Sequence, residues 1–274
     1  MKRALTSLLV ACLGSAVAVG VFADSLRDKL SEKIPESKRL LLALSDEDEV
    51  RVGQQVAANL LGVAPLVKDE KLQRYVNTVG RWVAAQSERP DLPWRFGVIE
   101  SADVNAFAGP GGYILITRGL YASLSEEAEL AGVLGHEIAH VTERHHIDVM
   151  RKAALAQEGR EAVEKKLKGD KEELLRRLVG TGAEIFARKL DQDAEYESDR
   201  HAVVLAARAG YSPFGLPAVL QKIASVSKSD DRVKLLFKTH PLPEERLREL
   251  ESAMAPDFYK YDRSGTGGKL YPLK

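Results

Sequence analysis

The chain has 274 residues, 40 of them basic and 40 acidic, with six histidines and one cysteine. A balanced charge offers no field that would attract nucleic acid or a strongly charged partner, and one cysteine excludes a disulfide framework. A hydrophobic content of 45% over this length suffices for one well-buried core and argues for a single catalytic-sized domain.

Lys2-Arg3 precede an apolar run from Ala4 to Ala23, which ends Val21-Phe22-Ala23 before Asp24. That succession is a secretory signal peptide, residues 1–23. Two alternatives stand beside it. Leu9-Val10-Ala11-Cys12 resembles a bacterial lipobox that would leave a lipid on Cys12, and about 20 apolar residues also suffice for an uncleaved anchor. All three place the chain outside the cytoplasm of a bacterium, in the periplasm; the last two add membrane association through the N-terminus. Residues 24–44 are charged, contain Pro35 and read as an arm, ahead of a folded domain over 45–254.

Ser45-Asp46-Glu47-Asp48 caps a helix running to about Leu61, and Asp69 to Ala85 reads as a second helix. Trp94 to Ile99, Val104 to Ala108 and Tyr113 to Thr117 read as short strands with Gly-rich turns between them. The middle strand is expected at the sheet edge facing a cleft. There Asn105, Ala106, Phe107 and Ala108 would pair with an extended substrate through backbone hydrogen bonds. An ordinary hairpin strand is the alternative.

Ser125-Glu126-Glu127 reads as an N-cap with first-turn acids, and Leu130, Val133, Leu134, Ile138 and Val141 form an apolar stripe that predicts a buried helix. Within it lies His136-Glu137-Ile138-Ala139-His140. Positions i and i+4 share a helical face, so both imidazoles reach one Zn²⁺, while Glu137 is rotated by roughly 100° and points beside the metal. A general base for metal-activated water belongs there. Gly135 costs helix stability of order 1 kcal/mol, which close approach to a neighbouring backbone would explain.

A site of this type needs a third protein ligand and one open position. His146 has the spacing of the H-E-x-x-H-x-x-G-x-x-H class, but Glu143 stands where that class has its turning glycine and should continue the helix. Glu195-Tyr196-Glu197-Ser198-Asp199 offers the preferred alternative. Glu195 would ligate the metal from a second helix, and Asp199, four residues on, would hold a ligand histidine from behind and fix its tautomer. His145 and His146 then read as surface or supporting residues. Between the two motifs, residues 151–189 are dense in Lys, Arg and Glu and read as a solvated helical hairpin, with a lid over the cleft as the alternative.

Ala202 to Ala209, Pro213 to Val226 and Pro243 to Met254 read as helices. In Thr239-His240-Pro241-Leu242-Pro243, His240 precedes a proline and is held extended, placed to donate to the oxyanion that forms when water attacks a carbonyl. The same histidine could instead close the open metal position until substrate displaces it. Arg246 begins the next helix and would brace that loop or the substrate. Residues 255–274, with Gly265, Gly267 and Gly268, read as a flexible tail.

These pieces together resemble the HtpX/BepA-like zinc metallopeptidases, the family that also holds the CAAX prenyl proteases. The matching motifs are His136-Glu137-x-x-His140, Glu195-x-x-x-Asp199, Thr239-His240-Pro241, and Arg246 six residues beyond His240. Similar in kind are Val104-Asn105-Ala106-Phe107-Ala108 with Gly111-Gly112-Tyr113, and Ala209-Gly210-Tyr211-Ser212-Pro213. The resemblance runs from about Ser45 to about Leu250. It implies an α+β, mainly helical, zincin-like fold of gluzincin type, with one zinc ion per chain and endopeptidase activity. One departure is that integral-membrane members carry several spanning helices, whereas this sequence has none after its N-terminus. Unfolded or outer-membrane envelope proteins are the expected substrates, within periplasmic quality control. A non-proteolytic chaperone or assembly factor is the rival reading, and it would have no use for Glu137.

Overall fold

Ser45 opens the first helix, α1 (Asp46–Val63), as a reciprocal cap: its side chain accepts from the Asp48 N–H, and the Asp48 carboxylate accepts from the Ser45 N–H. A computed structural model of the chain describes residues 44–158, 190–227, 229–254, 257–261 and 268–273. The expectations for the signal peptide, the arm, the charged segment beyond Glu158 and residues 262–267 fall outside the described residues. Among the described residues, no helix is long and apolar enough to cross a membrane.

The second helix, α2 (Glu70–Ala84), is capped by Asp69 and buries Leu72, Val76, Val79 and Val83 at i, i+4, i+7 and i+11. That stripe lies on a three-stranded sheet of β1 (Arg95–Ile99), β2 (Ala106–Gly109) and β3 (Tyr113–Thr117), ordered β1-β3-β2. β1 runs parallel to β3 and β2 antiparallel to it, so the two outer strands are edges. The outer side of β1 is covered: the Gln73 amide bonds the Val98 N–H and C=O, and Asn77 accepts from the Phe96 N–H. β2, the strand expected at the edge, forms the opposite side of the sheet.

After a short helix, α3 (Arg118–Ser123), the chain enters α4 (Glu127–Thr142), which carries the H-E-x-x-H motif. Every residue from 128 to 141 is buried. An all-round buried helix belongs at the centre of a domain, and α4 packs on α2, β2, α6 (Gln192–Arg208) and α7 (Gly215–Ala224). Leu130, Leu134 and Ile138 are fully buried in the main core. Each contributes ~1.5–3 kcal/mol of transfer energy, and truncating Leu134 to Ala would cost about 2–5 kcal/mol. Gly135 does what its cost suggested. A Cβ there would lie 3.2 Å from the Ala202 carbonyl oxygen, so α4 and α6 approach backbone to backbone. At Gly132 the approach is closer still, 2.5 Å from the Leu216 nitrogen of α7.

The entry to α4 differs from the expectation. Glu126, not Ser125, is the N-cap, and its side chain caps nothing. The Ser125 N–H instead donates to the Glu129 carboxylate at 2.7 Å, and Lys222 binds that carboxylate and the Ser125 hydroxyl together. A tertiary ion pair has taken over the local cap. The exit differs as well. Glu143 does not continue the helix: α4 stops at Thr142, and Arg144 adopts a left-handed φ of 61°. Arg144 is held in that conformation by Glu49, to which it donates at 2.5 Å, and by Asp46 at 3.1 Å. Arg89 caps the Val141 carbonyl at 3.1 Å. The next helix, α5 (His145–Glu158), therefore starts with His145 and His146 turned back toward α4.

The apolar run 202–209 proves to be the second half of α6, which starts ten residues earlier and carries both Glu195 and Asp199. A further helix, α8 (Lys234–Thr239), leads into His240, and α9 (Pro243–Met254) closes the domain over a smaller core of Ala202, Val203, Leu216, Leu220, Leu250 and Met254. Part of the tail expected to be flexible lies against the main core: Leu270, Tyr271 and Leu273 pack on it, and the Tyr121 hydroxyl donates to the Tyr271 carbonyl. The Gly268 carbonyl accepts the first N–H of α4.

Candidate active site

Helix periodicity puts His136 and His140 one turn apart on α4, and α6 crosses opposite them at Gly135, presenting Glu195. The two Nε2 atoms face each other at 3.0 Å. Glu195 is completely buried, with Oε2 3.6 Å from His136 Nε2 and Oε1 3.6 Å from His140 Nε2. Its Oε1 has no hydrogen-bond partner. His240 arrives from the end of α8 in extended conformation (φ −121°, ψ 158°), as the following proline requires. One donor atom from each of His136, His140, Glu195 and His240 lies within 4.8 Å of all the others, and all four residues are buried.

This arrangement fits a divalent cation. Two facing imidazole nitrogens repel unless a proton or a cation sits between them. A buried carboxylate oxygen without a partner is costly, and a metal removes that cost. The nitrogens on the far side of each ring are already engaged, which leaves Nε2 for the ion. His146 is not in this donor group, so the geometry brings in Glu195 rather than His146 as the third donor.

Behind His136, Asp199 Oδ1 accepts from Nδ1 at 2.8 Å. Asp199 is in turn gripped by Arg246, Nε to Oδ2 at 2.9 Å and a terminal nitrogen to Oδ1 at 2.5 Å. Sequence placed Arg246 against the loop or the substrate; its principal partner is Asp199, because α9 packs on α6 at this level. Behind His140 the direct partners are a second imidazole and a hydroxyl. Its Nδ1 lies 3.0 Å from His145 Nδ1 and 3.2 Å from the Ser198 hydroxyl, while His145 Nε2 lies 3.5 Å from Glu197. Ser198 escaped the sequence reading, although it lies three residues after Glu195 and one before Asp199, on the same face of the helix.

Electrostatics separates these groups. Burial and the Arg246 charge push the His136 pKa down, but Asp199 and Glu195 outweigh them and raise it to about 9. Burial, reinforced by charge on His136, holds His140 well below the ordinary histidine value. Without metal, His136 thus favours the imidazolium form and His140 the neutral ring. Burial raises Glu195, yet His240 and His136 hold it well below the usual carboxylate range, so it is ionised. An ionised carboxylate can only accept, so His240 donates through Nδ1 to Glu195 Oε2 at 2.6 Å, and its Nε2 is left for another partner. Burial pushes the Glu137 carboxyl up.

Glu137, His136, His240 and Arg246 share the wall of a small, mostly aliphatic cavity between α4, α7 and α8, together with Ala106 of β2. Of the edge-strand residues named from sequence, Ala106 thus reaches the cavity. Asn105 is buried and hydrogen-bonded through its backbone to Thr117, and Phe107 and Ala108 pair with Leu115 and Ile114 of β3.

Residues 70–254 match the model of peptidase family M48. The chain is 30% identical over 255 residues to the beta-barrel assembly-enhancing protease of Escherichia coli K12, an alignment covering 91% of this chain and 52% of that protein. It is 27% identical to the metalloprotease YcaL of the same organism, over 77% of this chain and 82% of that one. With the mitochondrial metalloendopeptidase OMA1 of Arabidopsis thaliana it shares 29% identity, over 69% of this chain and 37% of that protein. The chain spans about half the length of the first of these relatives. A match of this extent, over a helix pair that brings two histidines and a glutamate together, establishes that the chain belongs to peptidase family M48.

Proposed function

We propose that the chain is a zinc-dependent endopeptidase acting in the periplasm on extended or misfolded segments of envelope proteins. The observation that carries this reading is Glu137, buried at the cavity wall beside two facing imidazoles and an unpartnered carboxylate oxygen. His136, His140 and Glu195 would hold the ion. A bound zinc ion supplies a Lewis acid that acidifies water and polarises a carbonyl.

The chain's own groups do the rest. Glu137, its pKa raised by burial, takes the proton of the attacking water and passes it to the leaving amine nitrogen. His240, held beside the site by Glu195, would present an N–H to the carbonyl oxygen as negative charge develops there. Asp199 and Arg246 fix the tautomer of His136, so that Nε2 faces the site. An extended substrate would lie along β2, pairing through its backbone near Asn105–Ala108, which selects unfolded chain over folded domains. The relative named for β-barrel assembly supports outer-membrane proteins as clients, and family membership favours cleavage over a purely holding chaperone.

The test is Glu137→Gln. We expect it to retain zinc and to lose at least several hundredfold in casein or peptide cleavage. Near-normal cleavage would overturn the assignment, as would wild-type cleavage that survives a chelator. A second reading rests on the four donors lying together: His240 could occupy the open position in a resting state. A zinc-edge spectrum showing only two imidazoles in the resting protein would remove it.

A further inference from the structure

Among the described residues, Arg144 is the one non-glycine with a left-handed backbone, φ 61°, and it follows His140 closely in the chain. Outside glycine that conformation is disfavoured and persists only where surrounding contacts enforce it. Here it makes the connection between two helices: α4 closes at Glu143, and the Arg144 carbonyl already accepts the Asp148 N–H of α5. Had Arg144 stayed helical, His145 and His146 would lie about 140° and about 120° around α4 from His140, on other faces. The left-handed turn brings His145 back, its Nδ1 3.0 Å from His140 Nδ1. What enforces the turn comes from α1. Glu49 is 1% exposed; its Oε1 accepts from Arg144 Nε at 2.5 Å, and its Oε2 lies 2.8 Å from Arg89. Asp46 touches the same two arginines, but its side chain is 58% exposed and solvent screens it. One turn along α1 from Glu49, Gly53 lies so close to the Pro110 carbonyl that no side chain fits there. Glu49 therefore projects from a helix seated firmly on the turn after β2.

Resting on the peptidase reading, we infer that Glu49 is a positioning residue for the metal site: it holds Arg144 in the turn that returns His145 to the back of His140. An Nδ1–H committed behind the ring leaves the His140 Nε2 for the ion. Ser198, 3.2 Å from the same Nδ1, shares that task, so the influence of Glu49 is largest when the hydroxyl is gone. Two roles for Glu49 can be separated at residue 144. If Glu49 only adds an ion pair to the fold, removing the Arg144 side chain has one effect whatever replaces it. If Glu49 enforces a backbone conformation, glycine takes over from the pair, because it adopts positive φ unaided, and alanine does not. Arg144→Gly leaves Glu49 with Arg89, so no buried charge is stranded by the change.

The experiment takes the full chain carrying Ser198→Ala as its background. It reads the His140 ring by heteronuclear NMR in the metal-free protein, and zinc affinity by competition with a chelator. In the background the His140 ring should hold one tautomer, protonated at Nδ1. Adding Glu49→Ala or Arg144→Ala should mix the two tautomers and weaken zinc binding by about tenfold or more. Adding Arg144→Gly should keep the single tautomer and hold zinc affinity within about threefold of the background. Glu49→Ala combined with Arg144→Gly should recover most of what Glu49→Ala loses. Should Glu49→Ala not fold, a folded combination with the tautomer restored supports the inference, and a combination that also fails overturns it. Glycine no better than alanine, or a His140 ring indifferent to Glu49, overturns it as well. The tautomer is read without metal or substrate, so that failure leaves the peptidase reading standing. Wild-type cleavage rates in Glu137→Gln would remove the peptidase reading and leave the metal-free result on His140 in place.

Discussion

The two histidines of α4 face the same point but are held from behind in opposite ways. Behind His136 stands an ion pair, Asp199 with Arg246, sealed from solvent. Behind His140 stand a hydroxyl and a second imidazole, Ser198 and His145, either of which can take its Nδ1 proton. The difference shows how one site combines rigidity with tolerance. A charge-based support leaves a buried ion stranded when half of it is removed, whereas two neutral supports can replace each other.

Breaking the charged side should have the largest effect. Asp199→Asn leaves the Arg246 guanidinium buried without its counter-charge, which should destabilise the metal-free protein by about 3–5 kcal/mol in denaturant unfolding. The same change should weaken zinc binding by roughly 10–100-fold in a competition titration with a chelator. Equal zinc affinity in the variant and the wild type would show that the pair does not orient His136.

The same comparison predicts a pH dependence. In the metal-free protein the His136 pKa is raised to about 9, above the unfolded value, so its protonation stabilises that form at low pH and the effect is lost as pH rises through 9. A zinc ion held by His136 would have to displace this proton. Affinity should therefore rise with pH up to about 9, by about tenfold per unit, with about one proton released per ion at neutral pH. Calorimetric titrations in two buffers of different ionisation enthalpy measure that number directly. His140, held neutral by burial, should contribute none.

The neutral side should give the smallest effect. Ser198→Ala leaves His145 at 3.0 Å from His140 and should cost about 0.5–1.5 kcal/mol in stability, with only a few-fold loss in zinc affinity. Ser198→Ala combined with His145→Phe should exceed the sum of the two single changes, because the supports are interchangeable. Simple additivity in that double-mutant cycle would mean that they act independently.

Much of this site was legible in the sequence because helical periodicity is local. His136 with His140, and Glu195 with Asp199, are pairs at i and i+4, and His240 is extended because a proline follows it. Reading stopped where a local signal competed with a distant partner. Glu143 looked like helix, but Arg144 is turned into the left-handed region by Glu49, which lies 95 residues away in the chain. Ser125 looked like a cap, yet Lys222 and Glu129 reorganise it.

The sequence by itself determined which side chains could hold a metal, which of them share a helix face and where Glu137 stands beside them, since backbone geometry sets these over a few residues. The tertiary structure decided the rest. Close packing at Gly135 brings Glu195 to the histidines, α9 delivers Arg246 to Asp199 across 47 positions, and the seating of α7 on α4 shapes the aliphatic recess next to Glu137. These features follow from contacts between segments far apart in the chain, and no local pattern encodes such contacts.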